Sequence, residues 1–205
     1  MTEFDQKAAT WDDDPDKVSR ANAIADSLAK TIDLSKIKMA LEYGSGTGLL
    51  SFALQDRLSN ITLMDESLAM TEVAMQKCKE RGVEHLNPIQ YDLMNQALPE
   101  SRFDLIFILL TLHHIKDTAV ILQKFNQLLN KGGYLAIIDL VKEDGSFHEH
   151  NYHFHNGFER TDLESQLRFK NLEPISYEVC YEIGRDYDNG NQKYPLFLLV
   201  SQKQD

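Results

Sequence analysis

The sequence has few cysteines, no long apolar run and fewer basic than acidic residues, and each shortage excludes a class of protein. Two cysteines, Cys78 and Cys180, occur in 205 residues, and their spacing fits no metal or redox motif. We therefore expect reduced thiols in a cytoplasmic protein rather than a disulfide scaffold. The longest apolar run spans residues 105–110, whereas a membrane helix needs about 20 residues. The acidic N-terminus lacks the apolar core of a secretory signal.

The shortage of basic residues limits the choice of partners. The chain has 21 lysines and arginines against 32 aspartates and glutamates, a formal net charge of -11. Such a surface repels polyphosphates, so broad nucleic-acid binding is not expected. A membrane is not expected as a partner either, because the longest apolar run is too short to span a bilayer. With 42% hydrophobic residues the composition is that of a globular protein, and the length suits a single domain over residues 1–205.

The hydrophobic pattern changes after residue 33. Before it, Asp14 as N-cap and Pro15 as first helical residue begin an amphipathic helix, so residues 1–34 are interpreted as an N-terminal helical cap. Beyond it, strand-like runs alternate with helical ones, and a glycine pair at 132–133 is expected to end a helix. The predicted strands cover residues 39–43, 61–65, 88–91, 103–109, 134–140, 172–183 and 196–201.

This alternation predicts an α/β fold with a Rossmann-like, seven-stranded, mostly parallel sheet. Helices cover both faces, and the last two strands form a C-terminal antiparallel hairpin around a polar turn at 184–194. In such sheets ligands bind at the carboxyl ends of the strands. Residues 142–160, rich in histidine and aromatic residues, follow the fifth strand, and we expect them to form a lid-like loop.

Three features follow successive strands and indicate a nucleotide-type ligand. The glycine-rich turn 44–48 allows close approach to a helix N-terminus, Asp65 can accept hydrogen bonds from a ribose diol, and Asp92 can accept from an adenine amine. A dinucleotide fits poorly, because Leu49 stands where the pyrophosphate fingerprint needs a small residue. Glu42 supplies negative charge for an ammonium group, which favours a ligand with an amino-acid moiety.

These segments resemble the class I S-adenosylmethionine (SAM) dependent methyltransferases, over about residues 35–202. The sequence at 42–48, EYGSGTG, resembles their motif I, and DESLAM at 65–70 resembles their Asp-x-Ser-x-x-Met segment. Further similar stretches are FDLI at 103–106, LHHI at 112–115, KGG at 131–133 and YPLFLLV at 194–200. Phe4, Asp5, Ala8, Trp11 and Asp12 resemble the cap of small-molecule members of the type 11 and type 12 kind.

The resemblance implies SAM as cofactor and S-adenosylhomocysteine (SAH) as product. The glycine turn would hold the methionine moiety, Asp65 the ribose and Asp92 the adenine. Glu66 departs from the family, which usually places an apolar residue against the adenine. The predicted cofactor-binding residues are Glu42, Tyr43, Gly44, Ser45, Gly46, Gly48, Asp65, Glu66, Met70, Asp92, Leu93 and Leu109.

Most of the residues predicted to bind or act on the methyl acceptor are histidines. We assign His113, His148 and His153 to catalysis, and Trp11, His113 and His155 to substrate binding. Trp11 could instead pin the N-terminal segment by burying its ring.

Alternatives stay open for the other histidines. His113 and His114 could simply hydrogen-bond their loop. The run from His148 through His150 to His155 could be a substrate lid, a solvated loop or a metal site, since His-x-His places two imidazoles on one side of an extended segment. No metal site is expected, because no thiolate lies near and a structural site needs four ligands.

The sequence thus predicts a methyltransferase acting on a small molecule. The alternatives are a SAM- or SAH-binding regulatory protein without turnover, a nucleic-acid or protein methyltransferase, and a nicotinamide-dependent dehydrogenase. Nucleic-acid methylation is disfavoured, because the segment after the fourth strand lacks an Asn/Asp-Pro-Pro-Tyr run. The dehydrogenase is disfavoured because the chain has no Tyr-x-x-x-Lys pair.

Overall fold

The computed structural model describes residues 3–148, 153–187 and 190–204. Its strands are β1 (Ala40–Tyr43), β2 (Ile61–Asp65), β3 (Leu86–Gln90), β4 (Phe103–Leu109), β5 (Leu129–Leu140), β6 (Leu172–Tyr187) and β7 (Gly190–Lys203). Its helices are α1 (Glu3–Lys7), α2 (Pro15–Thr31), α3 (Leu49–Leu54), α4 (Leu68–Arg81), α5 (Thr118–Leu128) and α6 (Arg160–Phe169). Short 3₁₀ turns occupy Ala8–Asp13, Leu34–Lys36 and Leu112–His114.

The strands form one seven-stranded sheet in the order β3-β2-β1-β4-β5-β7-β6. Strands β1 to β5 are parallel, and β7 is antiparallel to both β5 and β6. The chain order reverses between β1 and β4, so a crevice opens at the carboxyl ends of these two strands. The predicted Rossmann-like fold and its C-terminal hairpin are confirmed.

Two buried clusters hold the helices on opposite faces of the sheet. One cluster contains side chains of α2, α3 and α4, and the other contains side chains of α5 and α6. Strand β4 contributes alternately to both, as Phe107 and Ile108 illustrate, because successive side chains of a strand point to opposite faces. The central strands are therefore covered on both sides and present only their ends to a ligand.

Local signals set the helix boundaries as expected. The Asp14 carboxylate accepts from the backbone N–H of Asp16, with Pro15 following at the first helical position of α2. The Ser67 hydroxyl caps α4 by accepting from the N–H of Met70 at 3.1 Å. None of the helices in the described part of the chain has the length and apolar character that crossing a membrane requires.

Two boundaries differ from the prediction. Helix α5 ends at Leu128 and β5 begins at Leu129, so the glycine pair lies inside a strand. A Cβ on Gly133 would lie 2.9 Å from the carbonyl oxygen of Asn130, so this glycine serves a close backbone approach rather than a helix end. The polar segment 184–194 is largely strand, because the β6–β7 backbone ladder continues through the pair Arg185 and Gln192 without needing apolar side chains.

Candidate active site

The glycine turn after β1 is built from left-handed residues. The φ angles of Gly44, Gly46 and Gly48 are +68°, +53° and +82°. A Cβ on Gly44 would lie 2.3 Å from the Thr111 side chain, and one on Gly48 would lie 2.5 Å from Leu63. Glycine is therefore required at both positions by conformation and by space.

Asp65, at the end of β2, ties the glycine turn to its own strand. One carboxylate oxygen accepts from the N–H of Gly46 at 2.7 Å, and the other accepts from the N–H of Ser67 at 2.9 Å. Burial raises the pKa of Asp65, while these two N–H groups favour its ionised form. A Cβ on Gly46 would have the Met70 sulfur, 3.8 Å away, as its nearest neighbour, so the outer side of Gly46 is open.

Two acidic residues, Glu66 and Asp92, follow the ends of β2 and β3 beside this turn. Partial desolvation of its carboxylate and the nearby Asp92 carboxylate raise the pKa of Glu66. The Tyr43 ring packs edge-on against Phe125 at 5.3 Å between centroids, and burial with the negative charge of Glu66 raises its pKa. Asp92 accepts from the backbone N–H and the side-chain amide of Asn95, at 3.0 and 2.7 Å, and this amide lowers its pKa.

Glu42 lies behind the turn and is only 2% exposed. One oxygen of its carboxyl group accepts from the Ser51 hydroxyl and from the Ser51 N–H. Burial raises the pKa of Glu42 to about 8. The group is therefore mainly protonated at neutral pH, and a neighbouring ammonium would favour its charged form.

The N-terminal segment packs over the glycine turn through polar contacts. Asp12 accepts from the Thr47 hydroxyl and forms an ion pair with Lys77 at 2.5 Å. The Lys77 ammonium also donates to the Thr47 carbonyl at 2.9 Å. Ser67, at the start of α4, donates to Asp5 at 2.6 Å. The predicted cap is thus joined to two of the loops that border the crevice.

Trp11 contacts its own segment. Its ring lies 6.1 Å from Phe4 in an edge-on arrangement, and the Lys17 ammonium lies 3.9 Å from the ring centroid. Phe4 in turn packs edge-on against His114 at 5.4 Å. These contacts fit the interpretation of Trp11 as a residue that pins the N-terminal segment, and its substrate-binding role stays a prediction.

His113 follows β4 and is held by a carboxylate at the end of β5. Its Nδ1 lies 2.6 Å from the Asp139 carboxylate, and its backbone N–H donates to the other oxygen at 3.2 Å. The two side chains are 1% and 0% exposed. The ring nitrogen Nε2 of His113 is buried and has no hydrogen-bond partner among the described residues.

His148 and His153 join this residue. The His148 ring lies 5.0 Å from His113 and 5.4 Å from His114, and His153 stacks on it at 4.3 Å. The Nε2 of His153 bonds to the Asn156 side chain at 2.8 Å. Burial and the neighbouring imidazoles lower the pKa of His148 to about 3, so its ring is neutral at neutral pH.

His155 lies apart from the other three predicted histidines. Its Nε2 bonds to the Ile115 carbonyl at 3.0 Å. The backbone N–H groups of Phe154 and His155 donate to the His113 carbonyl at 2.9 and 3.2 Å, which holds this part of the lid-like loop against the turn after β4. His150 lies outside the described residues.

Comparison with known proteins finds a methyltransferase domain in part of the chain. A family model described as a methyltransferase domain matches residues 41–137, which include the glycine turn, Asp65, Asp92 and the turn after β4. Over 171 residues the chain is 25% identical to a demethylmenaquinone methyltransferase of Geobacillus, covering 82% of this chain and 72% of that protein. These matches support a class I SAM-dependent methyltransferase.

Other relatives overlap the chain only in part. It matches 4% of a fusarielin synthase of Gibberella zeae at 32% identity, and 40% of an uncharacterized methyltransferase of Schizosaccharomyces pombe at 29% identity. The matched regions cover 51% and 53% of this chain. The chain therefore spans well under half the length of these two curated relatives.

Solved structures share the fold at low identity. A chain from the complex between the Haloferax volcanii Trm112 methyltransferase activator and a methyltransferase superposes with a TM-score of 0.79 at 15% identity, covering 100% of this chain and 99% of that one. The N-methyltransferase NodS of Bradyrhizobium japonicum, solved with SAH, gives 0.63 at 17% identity, covering 84% and 83%. These likenesses concern the fold alone.

Sequence reasoning missed three residues that lie beside the predicted ones. Asp139 is a lone acid in the apolar run of β5, which is a signal that could have singled it out. Leu110 has a φ of +51°, and Thr111 next to it donates to the Gly44 carbonyl at 3.3 Å. Neither has a marker in the sequence. Among the predicted cofactor residues, those with little or no exposure are Glu42, Ser45, Gly48, Met70 and Leu93.

Proposed function

We propose that this protein transfers the methyl group of SAM to a small-molecule acceptor. The observation that carries the proposal is the Asp65 carboxylate bonded to the N–H of Gly46, beside the open side of the glycine turn. An acid in this position, at the end of the second strand, can accept from a ribose diol while fixing the turn that receives the rest of the ligand.

The crevice residues suit SAM in charge and in hydrogen-bonding groups. Its methionine moiety would lie along the open side of Gly46, with Glu42 ionising as an ammonium approaches. Asp65 would bind the ribose, and Glu66 and Asp92 would lie near the adenine. The full proposed set is Glu42, Tyr43, Gly44, Ser45, Gly46, Gly48, Asp65, Glu66, Met70, Asp92, Leu93 and Leu109.

Positioning accounts for most of the expected catalysis. When bound, SAM supplies a methyl group on a sulfonium, which an acceptor nucleophile displaces in line. Alignment of two reactants can contribute about 7–11 kcal/mol. Phe4 of the N-terminal segment and His148 of the lid-like loop both pack against His114. We propose that the two segments enclose the acceptor and exclude water. His113, His148 and His153 would line this acceptor side, with Trp11 and His155 at its margin.

The names of relatives favour a small acceptor. They include a demethylmenaquinone methyltransferase, a malonyl-[acyl-carrier protein] O-methyltransferase and a ubiquinone biosynthesis O-methyltransferase. We also propose a cytoplasmic location, supported by the free thiols of Cys78 and Cys180.

Methyl transfer from radiolabelled SAM tests the proposal. The full chain is incubated with quinols, carboxylic acids and amines, and the labelled products are separated. We expect transfer to at least one acceptor class, and loss of this transfer in Asp65→Ala. Binding of SAM without transfer to any acceptor would favour the regulatory alternative, and transfer to RNA or protein alone would contradict the small-molecule assignment.

A further inference from the structure

Three histidine rings converge at the carboxyl ends of β4 and β5. His113 and His114 belong to the 3₁₀ turn after β4, and His148 lies in the loop after β5. Their ring centroids are 4.1 to 5.4 Å apart. One ring nitrogen from each lies within 4.8 Å of the corresponding nitrogens of the other two. Their proximity comes from the fold, since 35 positions separate His113 and His148 along the chain.

Two of these rings have a buried nitrogen that no described residue satisfies. The Asp139 carboxylate holds Nδ1 of His113 in its protonated form, which leaves Nε2 as a lone-pair donor. That nitrogen is buried without a hydrogen-bond partner among the described residues, and so is Nε2 of His148. A buried polar atom without a partner costs about 1–3 kcal/mol, so two such atoms in one cluster require a ligand or another explanation.

We propose that His113, His114 and His148 form a binding site for a zinc-class divalent cation, with one coordination position open. Imidazole nitrogen is a preferred ligand of such cations, and three protein ligands with one open position characterise catalytic rather than structural zinc sites. A metal-bound histidine usually donates its second ring N–H to a carboxylate, which is the arrangement of His113 with Asp139. Asp139 is thus a positioning residue.

The distances allow this site with small movements. Zinc–nitrogen bonds of about 2.0–2.1 Å in a tetrahedron place ligand nitrogens about 3.4 Å apart. The three nitrogens already lie within 4.8 Å, so modest rotations of the rings suffice. This site differs from the His-x-His arrangement considered from the sequence, because His155 bonds to Ile115 and takes no part.

The site adjoins the crevice of the proposed function but does not depend on it. Thr111, two residues before His113, donates to the Gly44 carbonyl, and Phe4 of the N-terminal segment packs on His114. A hydroxyl or thiol ligand at the open position would lose its proton more readily, as zinc-bound water does. A cation bound to Nε2 of His113 would take up the free lone pair of this ring, so His113 would not act as a base.

Calorimetric titration of the chelator-treated, full-length protein with Zn²⁺ tests the proposal. Co²⁺ serves as a spectroscopic probe, because its visible bands report tetrahedral nitrogen ligation. We expect one tight site per chain and tetrahedral Co²⁺ bands. His148→Ala, in a loop and therefore tolerable to the fold, should lose at least about 100-fold in affinity, and Asp139→Asn should lose about 10–100-fold.

His155→Ala is the matched control, since it removes a neighbouring imidazole outside the cluster and should bind Zn²⁺ as the unchanged chain does. Absence of tight Zn²⁺ binding by the unchanged chain would overturn the proposal, as would equal affinity in His148→Ala and His155→Ala. SAH binding, measured on the same metal-free protein, reports the proposed function separately, so failure of one leaves the other standing.

Discussion

Glu42→Gln should abolish a large pH dependence of stability. The pKa of Glu42 in the folded chain is about 8, against an ordinary value of 4.5, because the carboxyl is buried. The folded state therefore binds more protons than the unfolded state between these values, and stability falls as the pH rises through this range. Integration from pH 5 to pH 8 gives a loss of about 3–4 kcal/mol from this single group. Glutamine can accept both Ser51 hydrogen bonds through its carbonyl oxygen and carries no titration.

Urea denaturation of both proteins at pH 5, 6, 7 and 8 measures the effect. Relative to the unchanged chain, Glu42→Gln should become progressively more stable as the pH rises toward 8. The titrations of the other groups are common to both proteins and cancel in the difference in free energy of unfolding. Ser51→Ala is a second check, because the Ser51 hydroxyl lowers the pKa of Glu42 and its removal should raise it further. A difference that stays constant across this pH range would refute the reasoning.

Three further changes test the site. Gly44→Ala should cost about 2 kcal/mol or more in denaturation, because its Cβ would lie 2.3 Å from Thr111, whereas Gly46→Ala should cost about 1 kcal/mol through its positive φ alone; equal costs would be inconsistent with the packing. Asp65→Ala leaves the N–H groups of Gly46 and Ser67 without an acceptor, which should cost about 1–3 kcal/mol of folding stability for each group. The same change should weaken SAM binding strongly in calorimetry, and unchanged affinity would refute the ribose assignment. Asp12→Asn should cost about 1 kcal/mol and speed hydrogen exchange in residues 4–13, and unchanged exchange would argue against the cap contacts.

The order of strands and helices was predictable because each element carries its own local pattern. The strand 103–109 is apolar except for Asp104, which indicates burial on both faces. Ser67 caps the start of α4, and Gly82, with a φ of +64°, ends it. The start of β5 was not predictable, because a glycine pair in the sequence usually indicates the end of a helix. That Gly133 instead allows a close approach to the Asn130 backbone is visible only in the structure. The extension of the β6–β7 hairpin through 184–194 was hidden for a related reason, since main-chain pairing holds this polar stretch.

The cofactor side was more accessible to sequence reasoning than the acceptor side. The glycine turn and Asp65 lie at fixed offsets within one strand–helix–strand unit, so their neighbourhood follows from the topology. The contact of His113 with Asp139 and His148 joins three elements through loops, and no periodicity fixes such a meeting. The strained backbone of Leu110 is likewise a product of packing and has no sequence marker.

Calorimetric titration of the full chain with SAH tests the central claim most directly. The account predicts one site per chain and a stabilisation of roughly 2.7 kcal/mol at a ligand concentration 100 times the dissociation constant. Absence of binding heat, together with an unfolding midpoint that excess SAH leaves unchanged, would contradict the assignment of this crevice to SAM.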